Sequence, residues 1–260
     1  MKISFIGSGN VAWHMAQALE KANHTVVEVY SRDRKNASKL AQKLYNANTA
    51  ANLDFSHSRA ELFIIAVSDN ALEEVAEQLR VPDRAIVVHT SGTMPLEVLS
   101  PLQNAVTGVF YPLQTFTKGK QVNFKAIPIC IETSDEKTEK VLSKLAFTIC
   151  ENVCFVNSED RKVLHLAAVF ACNFTNHLLT ISKCILEKEG LDFAILKPLI
   201  QETIEKALLK GPEVSQTGPA VRNDTKTIKN HLSLLKRHDS WREIYELITE
   251  DIQEHGRENG

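Results

Sequence analysis

Long apolar runs, an excess of one charge and paired cysteines are all missing from this sequence, and each absence excludes a class of protein. No stretch approaches the ~18 apolar residues that cross a bilayer. Ile3-Ser4-Phe5-Ile6 is too short an apolar run for a secretory signal. The 260 residues carry 30 Lys plus Arg against 32 Asp plus Glu, a net charge of −2. Without a strongly basic face, neither nucleic acid nor a membrane is expected as partner. Five cysteines, Cys130, Cys150, Cys154, Cys172 and Cys184, are too few and odd in number for a disulfide framework. Cys150 and Cys154 lack the second pair that a structural zinc site needs, so no metal is expected. With 43% apolar and 24% charged residues, the chain is neither disordered, collagen-like nor a coiled coil. It reads as cytoplasmic and reduced, with a small molecule as its partner.

What is present is alternation. Short β-branched runs at 2–6, 25–30, 61–67, 85–90, 106–110, 126–131 and 153–156 read as strands. Amphipathic stretches at 11–22, 34–43, 70–79 and 136–147 lie between them, the last behind a Thr133-x-x-Glu136 capping box. Strand, helix, strand at this spacing predicts an α/β fold with a mostly parallel sheet and helices on both faces. After Ser158 only helices are expected, at 159–188, 192–209, 225–237 and 240–255. Gly190, Gly211-Pro212 and Gly256 supply stops, while Asp192, Asp224 and a Ser240-x-x-Glu243 box supply starts. Residues 1–157 and 158–260 are therefore expected as an α/β domain and an all-α domain.

The first strand runs into Gly7-Ser8-Gly9-Asn10-Val11-Ala12 and then a helix. This is the glycine turn of dinucleotide-binding Rossmann domains. Gly7 allows a tight turn, Gly9 lacks the Cβ that would hold a pyrophosphate off the backbone, and Ala12 lets helix and strand pack closely. Free N–H groups and the helix dipole then attract the anion. The alternative is a glycine-rich turn without a ligand. The second strand ends at Tyr30-Ser31-Arg32-Asp33-Arg34, where an acidic residue would hold the ribose of NAD. Register places Ser31 and Arg32 there, and a hydroxyl with a guanidinium suits the 2′-phosphate of NADP. NADP is favoured, and Asp33 keeps NAD open. Ala66-Val67-Ser68-Asp69 and His89-Thr90-Ser91-Gly92 close the next strands and should border the nicotinamide end of the cofactor. Ser68 and Asp69 serve equally as helix N-caps. Tyr111-Pro112-Leu113-Gln114 follows the next strand and is placed on the cleft floor, with Gln114 a substrate contact.

Residues 163–186 read as a buried helix whose polar residues cluster. His165, Cys172, Asn173, Asn176, His177 and Thr180 fall within a sector of roughly 140° at ~100° per residue. Uncharged polar groups on a buried helix need partners, which a substrate, a nicotinamide amide or a helix–helix contact would supply. Arg222, within Thr217-Gly218-Pro219-Ala220-Val221-Arg222-Asn223-Asp224, either holds a substrate carboxylate or caps a helix.

The glycine turn, His89–Gly92, the run Gly108–Phe116, Ser158-Glu159-Asp160-Arg161, the segment from His165 to His177 and Thr217-Gly218-Pro219 together resemble one family. It is that of Rossmann-like proteins whose C-terminal half is a domain of unknown function, number 2520. The resemblance runs end to end. It implies a fold similar to pyrroline-5-carboxylate reductase, ketopantoate reductase and the 6-phosphogluconate dehydrogenase superfamily, in which a helical second domain closes on the nicotinamide and usually dimerises. It implies no substrate. The β-hydroxyacid dehydrogenases place a catalytic Lys, then Asn, on the first long helix of that domain. This chain offers His165, Asn173, Asn176 and His177 there instead. The expected activity is NADP-dependent hydride transfer to a small polar carbonyl or imine in an interdomain cleft, in a homodimer. His165 or His177 would move the proton, with Asn173 and Asn176 orienting the substrate. The alternatives are a non-catalytic NADP-binding sensor and a dimeric module whose polar stripe is the subunit contact.

Overall fold

The aliphatic runs of the first half pair into one eight-stranded sheet in the computed structural model, which describes residues 1–258 and side chains through residue 255. Its strands are β1 (Lys2–Ile6), β2 (Thr25–Tyr30), β3 (Asn48–Thr49), β4 (Leu62–Ile65), β5 (Ile86–His89), β6 (Val106–Pro112), β7 (Ile129–Thr133) and β8 (Val153–Phe155). They lie in the order β3-β2-β1-β4-β5-β6-β7-β8, parallel except where β6 meets β7. The chain reverses its direction of travel across the sheet between β1 and β4, which leaves a crevice at their carboxyl ends. Edge strand β3 carries no hydrophobic signal, because its two polar residues join the sheet only by pairing with Glu28 and Val29.

Helices α1 (Asn10–Lys21), α2 (Arg34–Ala41), α3 (Asp69–Gln78) and α4 (Glu136–Ile149) cover the sheet. In α1, Ala12, Met15, Ala16 and Leu19 recur at helical spacing and are all buried. They join Ile3, Phe5, Val26 and Val29 in one core. Leu72, Val75 and Ala76 of α3 pack with Ile6, Phe63 and Ile65 in another. Central strand β4 is buried at every position, as a strand covered on both faces must be. The expected Thr133 capping box does not form. Thr133 remains in β7, and Asp135 caps α4 by accepting the Thr138 N–H at 2.9 Å.

Beyond β8 come α5 (Ser158–Ala168), a π turn (Val169–Phe174), α6 (Thr175–Lys188), α7 (Lys197–Lys210), α8 (Pro212–Ser215), α9 (Thr225–Leu234) and α10 (Asp239–Glu258). No strand follows β8 among the described residues. Gly256 does not stop the last helix, which continues to Glu258, and Ser240 lies inside that helix rather than at its cap. Residues 259–260, the end of the expected second domain, lie outside the described residues. The chain divides into two compact units, Met1–Cys172 and Asn173–Gly260. Helix α5, expected to open the helical domain at Ser158, thus groups with the sheet.

Two expectations about the long helix need correction. No residue of the π turn or of α6 is buried in this chain, so it is not the enclosed helix that its apolar composition implied. The π turn also interrupts the 3.6-residue period, so residues on its two sides cannot be assigned to one sector by counting ~100° per residue. The span Ser158–Lys188 is, by length and composition, apolar enough to cross a membrane, with a mean hydropathy of 1.3 over its best window. Counting consecutive apolar residues missed this, because interspersed His and Asn break the run without lowering the average much.

Candidate functional site

A cleft of about 670 Å³ opens at the carboxyl ends of the first unit's strands, lined wholly by residues of that unit. Its floor is the glycine turn. Gly7 has φ +111°, and its N–H donates to the Tyr30 carbonyl at 2.8 Å. A Cβ here would stand 2.1 Å from the Ala66 carbonyl oxygen, so only glycine lets the turn pass the end of β4. At Gly9 the situation is opposite. The nearest atom to a Cβ would be the same oxygen at 3.9 Å, so the space above it is open. Gly9 occupies the N-cap of α1 without any side-chain cap, and the first turn holds no acid. The arrangement fits a dinucleotide pyrophosphate: a bare helix N-terminus beside a position where a side chain would intrude only on a ligand. Asn10 is committed elsewhere, donating its amide to the Phe116 carbonyl at 2.9 Å. Ala12 lies beneath the turn, fully buried.

The end of β2 supplies Ser31 and exposed Arg32 to the rim. Asp33 caps α2, accepting the Lys35 N–H at 2.9 Å and the Asn36 amide at 3.2 Å. Ala66, Val67, Ser68 and Asp69 line the adjoining wall. Ser68 sits at the N-cap of α3 without a side-chain cap bond, whereas Asp69 accepts the Thr93 hydroxyl at 2.6 Å.

The turn after β5 is held from beneath. His89 is fully buried, and its Nδ1 accepts the Ser91 N–H at 3.1 Å, while Nε2 makes no well-formed hydrogen bond among the described residues. Burial, reinforced by the Arg161 charge, pushes this imidazole down to about 4, so it is neutral at neutral pH. Ser91 Oγ accepts the N–H groups of Thr93 and Met94 at 3.1 and 3.0 Å. Thr90, Ser91 and Gly92 then line the cleft with Tyr111, Gln114 and His165. Tyr111 on β6 and His165 on α5 meet at 3.2 Å, phenol oxygen to Nδ1. Burial raises the Tyr111 phenol to about 12.

Helix α5 is fastened one turn below His165. Arg161 is fully buried and paired with Glu132 of β7, and donates to the Met94 carbonyl at 2.5 Å. Ser158 Oγ donates to both Glu132 oxygens at 2.9 Å and accepts the Leu96 N–H at 3.0 Å. This network ties α5, β7 and the segment after the β5 turn into one support.

The cleft thus brings together all the expected cofactor residues except Ala12, along with Gln114 and His165. Asn173, Asn176 and His177 belong to the second unit, as does Arg222, which lies in the turn before α9. Sequence reasoning missed the Glu132–Arg161 pair, because nothing in a linear pattern links two residues 29 apart. It treated Tyr111 as floor rather than as a polar group, although a Tyr at a strand's carboxyl end was the available signal. Among the described residues no three His, Cys, Asp or Glu are grouped to hold a metal.

Strand order and glycine turn define a Rossmann-like protein. Residues 1–113 match the Rossmann-like domain, and residues 127–252 match the domain of unknown function DUF2520. The chain belongs to the family of Rossmann-like proteins that carry this C-terminal domain. It is similar to a Bacteroides fragilis protein described as a candidate NADP oxidoreductase, with 39% identity over 97% of this chain and 98% of that one, TM-score 0.88. A Thermotoga maritima protein matches at 23% identity over 99% of each chain, TM-score 0.72. A reductive aminase from Aspergillus terreus, bound to NADPH and ethyl-5-oxohexanoate, matches at 16% identity over 99% of this chain and 94% of that one, TM-score 0.74. The last two likenesses concern the fold alone. No curated protein matches the chain.

Proposed function

We propose that this protein is an NADP-dependent oxidoreductase that reduces a small polar carbonyl or imine. The observation carrying this reading is the contrast between the two glycines: Gly7 is closed against Ala66 and Gly9 is open to the cleft. The backbone of residues 7–11 holds the pyrophosphate, and Ser31 and Arg32 hold the 2′-phosphate. Asp33, engaged as a helix cap, is not free to claim a ribose hydroxyl undivided, which favours NADP over NAD. Ala66, Val67, Ser68, Thr90, Ser91 and Gly92 flank the nicotinamide. When bound, the reduced cofactor supplies hydride to an electrophilic carbon. His165 lies on the cleft wall as the source of the proton that the reduction consumes, directly or through a neighbour, and Gln114 offers an amide on the same wall. The NADP oxidoreductase description of the Bacteroides fragilis relative supports the same reading.

The chain is also proposed to act as a homodimer through its second unit. Leu208, Leu209, Val214 and Leu234 there are 84, 83, 76 and 80% exposed, large apolar side chains of the kind that a second copy would cover. Sedimentation showing a monomer at micromolar concentration would remove this part. The cofactor reading is tested by titrating the protein with NADPH and NADH, following nicotinamide emission. NADPH should bind at least tenfold tighter, about 1.4 kcal/mol. Stereospecifically deuterated NADPH should then pass its label to members of a carbonyl and imine panel. Failure to bind either dinucleotide refutes the reading, and binding without label transfer leaves a nucleotide-binding protein that is no reductase.

A further inference from the structure

We propose that Tyr111 is the group that hands the proton to the substrate, and that His165 stands behind it as the relay that restores it. The inference rests on the reductase reading and adds to it a catalytic residue and a proton route. Three elements converge on one contact. Tyr111 is half-buried near the carboxyl end of β6, where it lines the cleft, and its phenol oxygen lies 3.2 Å from His165 Nδ1 on α5. The rings meet edge to face, with centroids 6.2 Å apart at 61°. The third element is the β5 turn. A Cβ on Gly92 would fall 2.6 Å from His165 Nδ1 and 2.9 Å from Tyr111 Cζ. The turn is pressed against both rings at a point where only a hydrogen atom fits.

The pair is also held rigidly. Arg161, one helical turn before His165, is fully buried and bound to Glu132 and the Met94 carbonyl, so α5 cannot slide along β7 without breaking an ion pair. A pair this fixed meets the geometric demand on acid catalysis, a donor placed before the reaction begins. When Nδ1–H donates to the phenol oxygen, the phenol hydrogen is free to turn into the cleft. Burial holds the phenol proton more tightly, and the bond from Nδ1–H to the phenol oxygen offsets this by supporting the phenolate as it forms.

The proton balance closes. The carbon of a C=O or neutral C=N bond accepts hydride, and the π pair moves to oxygen or nitrogen. The Tyr111 proton follows to that atom. His165 then passes its Nδ1 proton to the phenolate while its Nε2 takes one from solvent. The charged and titratable groups around Tyr111 are Asp69 of α3, Cys130 of β7 and Arg161 of α5. His89 of β5 stays neutral above about pH 4 and contributes no charge near neutrality.

The test uses Tyr111→Phe and His165→Asn in the full chain. NADPH affinity should stay within twofold of wild type in both, and a loss beyond tenfold would make the pair a cofactor contact and overturn the proposal. The nitrogen chemical shift of His165 Nδ1, read at one pH, should change in Tyr111→Phe as the bond to the phenol is lost. No change means the rings share no proton, and the relay falls. On panel substrates that the wild type reduces, Tyr111→Phe should lower kcat about 100-fold, with KM within threefold and the acid-dependent limb of the pH profile lost. Equal kcat in variant and wild type overturns Tyr111 as donor while the reductase reading stands. If the wild type binds NADPH yet reduces no carbonyl or imine, the reductase reading fails and takes this inference with it.

Discussion

His89 stores an acid sensitivity beneath the cleft whose size follows from its surroundings. In the unfolded chain the imidazole gains a proton near 6.5, whereas in the fold it resists until about 4, because burial and then the Arg161 charge disfavour the cation. Between those values the unfolded chain holds more protons than the folded one, so stability rises with pH. No contribution is felt above 6.5. As pH falls to about 4, some 2.5 pH units at about 1.4 kcal/mol each remove roughly 3 kcal/mol. At pH 5 the same relation gives about 2 kcal/mol. The perturbation is His89→Asn, whose side-chain oxygen can still accept the Ser91 N–H that Nδ1 accepts at 3.1 Å. Urea unfolding of both proteins at pH 7 and pH 5, followed by circular dichroism, gives the comparison. Asp54, Asp135 and Asp224, all held below the usual carboxylate range by hydrogen bonds, weaken both proteins alike in acid and cancel in the difference. The wild type should lose about 2 kcal/mol more than the variant on going to pH 5. Parallel losses would refute the claim that His89 is buried neutral.

Two further substitutions probe the support and the cradle. Arg161→Met leaves the Glu132 carboxylate without its cation and should cost about 3 kcal/mol, lowering Tm by roughly 6–12 °C; adding Glu132→Gln should recover part of the loss, and calorimetry decides. Gly9→Ala meets no atom closer than 3.9 Å, so Tm should move by less than about 2 °C while NADPH affinity falls more than about tenfold. Unchanged affinity would place the pyrophosphate elsewhere.

Much of the first unit was legible because its signals are local. β1 and β2 occupy the spans that their β-branched runs mark, and α1 shows its buried face at helical spacing. Gly7 could be singled out because a strand-to-helix turn of this kind needs a positive φ, a property of one residue and its neighbours. The capping of α4 was misplaced by two residues, since Thr133 and Asp135 are both competent caps and β7 retained the first. The phase of the long helix was lost at the π turn, where one added residue shifts everything counted after it.

The sequence by itself therefore determined the alternation of strands and helices and the glycine turn between the first of them, because propensity, periodicity and backbone freedom act over a few residues. Only the tertiary structure decided that Glu132 would neutralise Arg161, that His89 would lose its charge, and that Gly92, Tyr111 and His165 would meet. Those outcomes depend on burial and on distances between residues far apart in the chain. Electrostatic and steric energies are set by separation in space, which no linear pattern records.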